Sequence, residues 1–233
     1  MIVKRKSRVH FMNNNGNLPP TLHSALNLDG SPDSVKEFYS TWASRYEEDT
    51  TRWNYAAPAN ALALLQGVSG SGGHTMDPAD PGIRIMDAGC GTGLLARVLG
   101  EAGYTNIDGF DLSPEMVDIA RQTGLYRHLE GNVDLNAPVK REWVHQYDCT
   151  VSVGVFTPGH VPPRALSQLA RMTRPGGLVI VSTRVEYYQS ENFQQVSDDL
   201  ESRGTLTLIK TLKNASYTTD EKAHYWVYAA RPA

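Results

Sequence analysis

The residues of this chain best suited to chemistry fall in two acidic segments about twenty positions apart, the separation used where a carboxylate follows a glycine-rich nucleotide turn. The first is Asp87-Ala88-Gly89-Cys90-Gly91-Thr92-Gly93, entered from apolar Ile85-Met86 and left through Leu94-Leu95-Ala96. A strand ends there at an acidic residue, passes through three alternating glycines and opens a helix. Glycines let the backbone approach a ligand that a Cβ would obstruct, and the helix N-terminus adds N–H donors and a partial positive field. The second segment is Gly109-Phe110-Asp111-Leu112-Ser113-Pro114-Glu115-Met116. Asp111 ends the next strand, where a carboxylate can take both hydroxyls of a ribose. A helix-capping role for Asp111 is better filled by Ser113, ahead of Pro114.

Two details separate the possible ligands. The glycines are spaced G-x-G-x-G, whereas the dinucleotide fingerprint is G-x-G-x-x-G. Asp87 precedes the first glycine, where a carboxylate repels a pyrophosphate and favours an ammonium group. The ligand implied carries positive charge at that end, as S-adenosylmethionine (SAM) does.

The elements that must hold these residues follow from periodicity. Residues 1–31 read as irregular, with Asn13-Asn14-Asn15-Gly16-Asn17 and Pro19-Pro20 as turn and breaker chemistry. Residues 32–68 read as a helical unit. Ser31-Pro32 starts a helix over 32–47 whose Val35, Phe38, Tyr39, Trp42 and Tyr46 share one face, and a second helix covers 58–66. Residues 69–82, rich in Gly and Ser, form a flexible connector. From 83 to 233, strands and helices alternate: strands at 84–88, 107–112, 125–130, 147–153 and 178–183, and helices at 94–102, 114–123, 163–172 and 192–201. Two closing strands, 206–212 and 224–230, are joined by a turn at Asn214-Ala215-Ser216. This pattern predicts an α/β, Rossmann-like, doubly wound sheet of seven strands, mostly parallel, with one antiparallel strand at the edge.

The motif Asp87-Ala88-Gly89-Cys90-Gly91-Thr92-Gly93, the acidic loop Asp111-Leu112-Ser113-Pro114-Glu115-Met116 and the turn Arg174-Pro175-Gly176-Gly177-Leu178 together resemble the class I SAM-dependent methyltransferases. The resemblance extends over about residues 34–231. Ser152-Val153-Gly154-Val155-Phe156-Thr157-Pro158-Gly159-His160 and Ser182-Thr183-Arg184 are similar, more narrowly, to the methyltransferase-like group named for the Williams–Beuren syndrome region, and also to natural-product methyltransferases. The family implies that SAM is consumed and S-adenosylhomocysteine (SAH) released. It implies a cofactor site of Asp87, Gly89, Cys90, Gly91, Gly93, Asp111, Leu112, Ser113, Met116, Asn132, Val133 and Val153, with Tyr46 from a helical lid. One position departs from the pattern. Gly131-Asn132 stands where the family commonly has Gly-Asp, and Asn132 can still offer a carbonyl acceptor to an adenine amino group. Asp134 is a possible substitute.

On the acceptor side the signals are sparser. Ligands of open α/β sheets lie beyond the carboxyl ends of the strands, so the loop after the fourth strand is the place for a base. His160 stands there, between Gly159 and Pro162-Pro163, and can accept the proton of an acceptor hydroxyl near neutral pH. Arg184 leaves the fifth strand at the same edge, either to clamp an acceptor carboxylate or as a solvated arginine. Phe156 and Trp53 are further candidates for the acceptor pocket, drawn from the same loop and from the aromatic set Tyr39, Trp42, Tyr46, Trp53 and Tyr55.

Composition limits the partners. The chain of 233 residues has 22 Lys and Arg against 25 Asp and Glu, a formal charge of −3, which provides no basic footprint for nucleic acid or an anionic membrane. The cluster Lys4, Arg5, Lys6 and Arg8 reads as a solvated terminus. No apolar run approaches the ~18 residues of a membrane span, and no secretory apolar core opens the chain. Cys90 and Cys149, both in apolar segments, suit a reducing compartment, so a cytoplasmic location is expected. No metal site is expected, since no Asp, His and Asn cluster suits Mg²⁺. The reading is therefore a SAM-dependent methyltransferase acting on a small molecule, by O- or N-methylation with a hydroxyl or carboxylate favoured. The alternative is a catalytically silent SAM-binding scaffold on the same fold. Oligomeric state is left open.

Overall fold

Ser31 caps the first long helix, its side chain accepting from the Ser34 N–H with Pro32 at the first helical position. In the computed structural model, which describes residues 20–68 and 73–231, helix α2 (Pro32–Arg52) runs five residues past its expected end. Polar contacts carry it beyond the apolar stripe. The Trp42 indole donates to Asp49 at 2.8 Å inside the fold, and Thr50 donates back to the Tyr46 carbonyl at 2.8 Å. The stretch 20–31, expected to be irregular, contains helix α1 (Pro20–Ala25), and the Leu28 backbone packs against Gly159 of the His160 loop. The basic cluster at 4–8 lies outside the described residues.

After helix α3 (Ala57–Gln66), strands and helices alternate as the periodicity predicts: β1 (Ile85–Ala88), α4 (Leu94–Glu101), β2 (Ile107–Phe110), α5 (Pro114–Gln122), β3 (His128–Glu130), β4 (Tyr147–Phe156), α6 (Leu166–Met172) and β5 (Thr173–Arg184). Helices α7 (Val185–Ser190) and α8 (Phe193–Ser202) follow, then β6 (Leu206–Ser216) and β7 (Lys222–Ala230). Helix α7 was not foreseen, and the closing turn falls at 217–221, later than expected. The sheet has seven strands in the order β3-β2-β1-β4-β5-β7-β6. Neighbouring strands from β3 to β5 pair parallel, and β7 is antiparallel to both β5 and β6. The reversed strand β7 thus lies one place in from the rim, which β6 forms.

Side chains alternate between two cores with the period of two that strands impose. Ile85, Cys149, Val151, Leu178, Ile180, Tyr225 and Val227 face one cluster with α3 and α4. Met86, Val179, Val181, Trp226 and Tyr228 face the other with α6 and α8, joined by Tyr147 because the register of β4 shifts between Tyr147 and Cys149. Each fully buried large side chain contributes about 1.5–3 kcal/mol, so these faces fix the register and hold the carboxyl ends of β1, β2 and β4 level. Cys90 and Cys149 are buried free thiols.

Candidate functional site

The carboxyl ends of β1, β2 and β4 border a cavity of about 760 Å³. Its floor is Gly89, Gly91, Asp111 and Leu112, and its sides are Phe110, Met116, Val133, Asp134, Leu135, Asn136, Val153 and Val155. Pro32, Val35, Tyr39 and Tyr46 of α2 cover it, with His160 on the far wall. Helix α2 is held to the sheet-side elements by polar contacts, Arg97 to Glu47 at 2.8 Å and Ser40 to Glu115.

The floor takes its shape from the glycine turn. At Gly89 φ is +81°, and an added Cβ would fall 2.4 Å from Val155 Cγ2, so only glycine fits. The Gly91 N–H donates to Asp111 Oδ2 at 2.8 Å and the Ser113 N–H to Oδ1 at 2.9 Å. Asp111 therefore braces the turn while each oxygen keeps a lone pair for a ligand hydroxyl. Burial raises its pKa, opposed by these donors. Ser113 caps α5, accepting from the Met116 N–H as predicted.

Asp87 lies behind the turn, 2% exposed, and accepts the Tyr126 hydroxyl at 2.7 Å. Burial pushes its carboxyl up to about 7, against the lowering effect of Tyr126. Sequence reasoning missed Tyr126, which belongs to a turn with no motif of its own. It also missed Asn136, whose buried Oδ1 has no partner in the cavity wall, and left Asp134, another wall residue, as a secondary choice.

Several expected site residues are elsewhere. Asn132 does not line the cavity: at φ +59° its side chain turns outward to accept from Lys36 of α2. Cys90 and Gly93 support the turn without forming wall, and burial raises the Cys90 thiol pKa. Phe156 is not in a ligand loop. Strand β4 continues past residue 153, and Phe156 is wholly buried against Tyr187 and Phe193.

A second chamber of about 420 Å³ adjoins the first. It is walled by Trp42, Trp53, Tyr55 and Tyr217, with Thr50, Thr157, Thr218 and Arg184 as polar members, and it shares Tyr39, Tyr46, Gly154 and His160 with the larger cavity. Tyr46 lines both chambers and Trp53 the second one. Arg184 is not solvated. It is 2% exposed and paired with buried Glu221, with Glu186 at 3.6 Å and its guanidinium over the Tyr217 ring. The turn joining β6 to β7 brings Tyr217 and Glu221 over the end of β5, a contact no local pattern announces.

His160 is oriented from both sides. Nδ1 lies 2.9 Å from the Pro158 carbonyl, which can only accept, so that nitrogen carries the proton. Nε2 then accepts the Tyr39 hydroxyl at 2.8 Å. Burial pushes the imidazole down to about 4, keeping it neutral at physiological pH. Among the described residues, no group of three or more His, Cys, Asp or Glu is placed to hold a metal ion. Nor is any described helix long and apolar enough to cross a membrane.

Comparison with known proteins adds four findings. A family model described as a methyltransferase domain matches residues 71–231. Human methyltransferase-like protein 27 is 32% identical over 199 residues, spanning 81% of this chain and 76% of that protein. Malonyl-[acyl-carrier protein] O-methyltransferase of Pectobacterium atrosepticum is 38% identical over 131 residues, 56% of this chain and 50% of that enzyme. Magnesium protoporphyrin IX methyltransferase from Synechocystis, solved with bound SAH, shares the fold at a TM-score of 0.63 and 16% identity, covering 87% of this chain and all of that one.

Proposed function

Because the chain belongs to the SAM-dependent methyltransferases, we propose that it methylates an oxygen of a small-molecule acceptor, with SAM in the larger chamber and the acceptor in the smaller. The observation that carries this reading is Asp111, a carboxylate on the cavity floor that braces the Gly91 N–H and retains capacity for two ribose hydroxyls. The wall residues fit the rest of the cofactor. Apolar Leu112, Met116, Val133 and Leu135 suit an adenine, and the unpartnered Asn136 Oδ1 suits its amino group. Asp87, when ionised, provides negative charge toward the aminoacyl end. The bound cofactor supplies an electrophilic methyl group on a sulfonium.

This chain's own residues do the remaining work. Lid residues Tyr39 and Tyr46 exclude water, and the junction of the two chambers holds acceptor oxygen and methyl group together, where positioning does much of the catalysis. His160, neutral and fixed in one tautomer, is the proton acceptor nearest that junction. The O-methyltransferase relatives support oxygen as the methylated atom.

Calorimetry tests the cofactor assignment. SAM and SAH should bind in the micromolar range, near −8 kcal/mol. NAD should not compete, and Asp111→Ala should weaken SAM by about 1.5–3 kcal/mol. NAD binding more tightly than SAM would reject the reading. Incubation with labelled SAM and a panel of phenols, carboxylic acids and amines then reads methyl transfer and separates enzyme from silent binder.

A further inference from the structure

Four residues line both chambers: Tyr39, Tyr46, Gly154 and His160. They form the boundary between the two chambers. Tyr39 and His160 are hydrogen-bonded to each other at that boundary, the phenol donating to Nε2. We propose that the acceptor is a neutral aromatic hydroxyl compound, and that Tyr39 takes its proton while passing its own to His160 Nε2. The inference rests on the SAM-dependent reading above.

The chamber walls argue for the acceptor class. Trp42, Trp53, Tyr55 and Tyr217 offer aromatic faces, which a flat ring fills by offset or edge-on packing. No Asp or Glu is among the lining residues, so an ammonium acceptor finds no counter-ion in the chamber wall. A carboxylate acceptor finds an arginine already paired with Glu221, and being ionised it leaves the Tyr39–His160 pair without a task. A phenolic hydroxyl uses both features, the aromatic walls and the proton acceptor.

The step balances. The acceptor oxygen's lone pair forms the new C–O bond, and the electron pair of the broken C–S bond stays on sulfur. The acceptor proton goes to the Tyr39 oxygen as the Tyr39 proton goes to Nε2. The positive charge of the sulfonium ends on the imidazolium, which returns its proton to water. A weakly basic imidazole suffices, because the acceptor proton becomes strongly acidic as its oxygen is alkylated.

Two measurements test this on the full chain. With SAH bound, calorimetry should show 4-methylphenol binding at least tenfold more tightly than cyclohexylamine or cyclohexanecarboxylate. At about pH 8.5, Tyr39→Phe should lower kcat for 4-methylphenol about 10²-fold, in the range for loss of a proton acceptor, while lowering it less than fivefold for 4-nitrophenol, which is largely ionised at that pH. SAM affinity should change less than threefold. Equal losses for the two phenols would assign Tyr39 a packing role and overturn the relay. Preference for the amine or the carboxylate, in binding or in transfer, would overturn the acceptor class while leaving SAM binding intact. Failure to bind SAM at all would instead remove the underlying reading and this inference with it.

Discussion

The Tyr126 hydroxyl donates to Asp87 Oδ2 at 2.7 Å, joining the turn before β3 to the end of β1 beneath the glycine loop. Burial holds that carboxyl up at about 7 and the phenol resists further rise, so Asp87 titrates within the physiological range. A cationic ligand favours the ionised form. SAM affinity should therefore fall as pH drops below 7, approaching tenfold per unit, and at pH 7 binding should release about half a proton by linkage. Calorimetry in buffers of different ionisation enthalpy measures that release. Tyr126→Phe removes a charged hydrogen bond of about 1.5–3 kcal/mol, equivalent to a rise of about 1–2 units, and should move the affinity profile to higher pH. Asp87→Asn should flatten it.

His160 has the opposite consequence for stability. Its folded-state pKa of about 4 lies below the ordinary 6.5, so the unfolded chain takes up the proton first as pH falls. The contribution is complete above 6.5 and is lost progressively toward 4, at no more than about 1.4 kcal/mol per unit. Urea titrations of His160→Gln between pH 4 and 7 should show a shallower decline than wild type. At saturating SAM, the acid limb of kcat should also fall near 4, lower than the 6–7 suggested by an unperturbed histidine.

Gly89→Ala should destabilise the fold by about 1–3 kcal/mol, combining a left-handed φ with the clash on Val155. Thermal unfolding gives the loss. Adding Val155→Ala should recover the steric share and leave the conformational one.

Arg184→Met should cost about 3–5 kcal/mol by stranding Glu221 in the interior, and Arg184→Met with Glu221→Gln should restore most of it. Chemical denaturation of the three proteins forms the cycle. A double variant as unstable as the single one would show that the pair is not the source of the loss.

The sequence by itself determined what depends on neighbours along the chain. Glycine spacing, Asp87, Asp111, the caps at Ser31 and Ser113 and the two hydrophobic periods are local signals, so the cofactor class, the strand order of chemistry and the seven-stranded sheet could be read directly. Tertiary structure decided what depends on elements meeting. Phe156 went into the core because β4 runs three residues further, pairing Phe156 with Thr183 after a register shift. Arg184 lost its solvent because the turn joining β6 and β7 folds over it. Asn132, with a left-handed backbone, turned away from the cavity to meet Lys36 of α2, leaving that stretch of the wall to Val133 through Asn136. Tyr39 and His160 are 121 positions apart, and their hydrogen bond exists only because α2 closes over the sheet. Side-chain contacts of this kind have no period, cap or turn residue to reveal them, since both partners acquire their chemistry from being buried together.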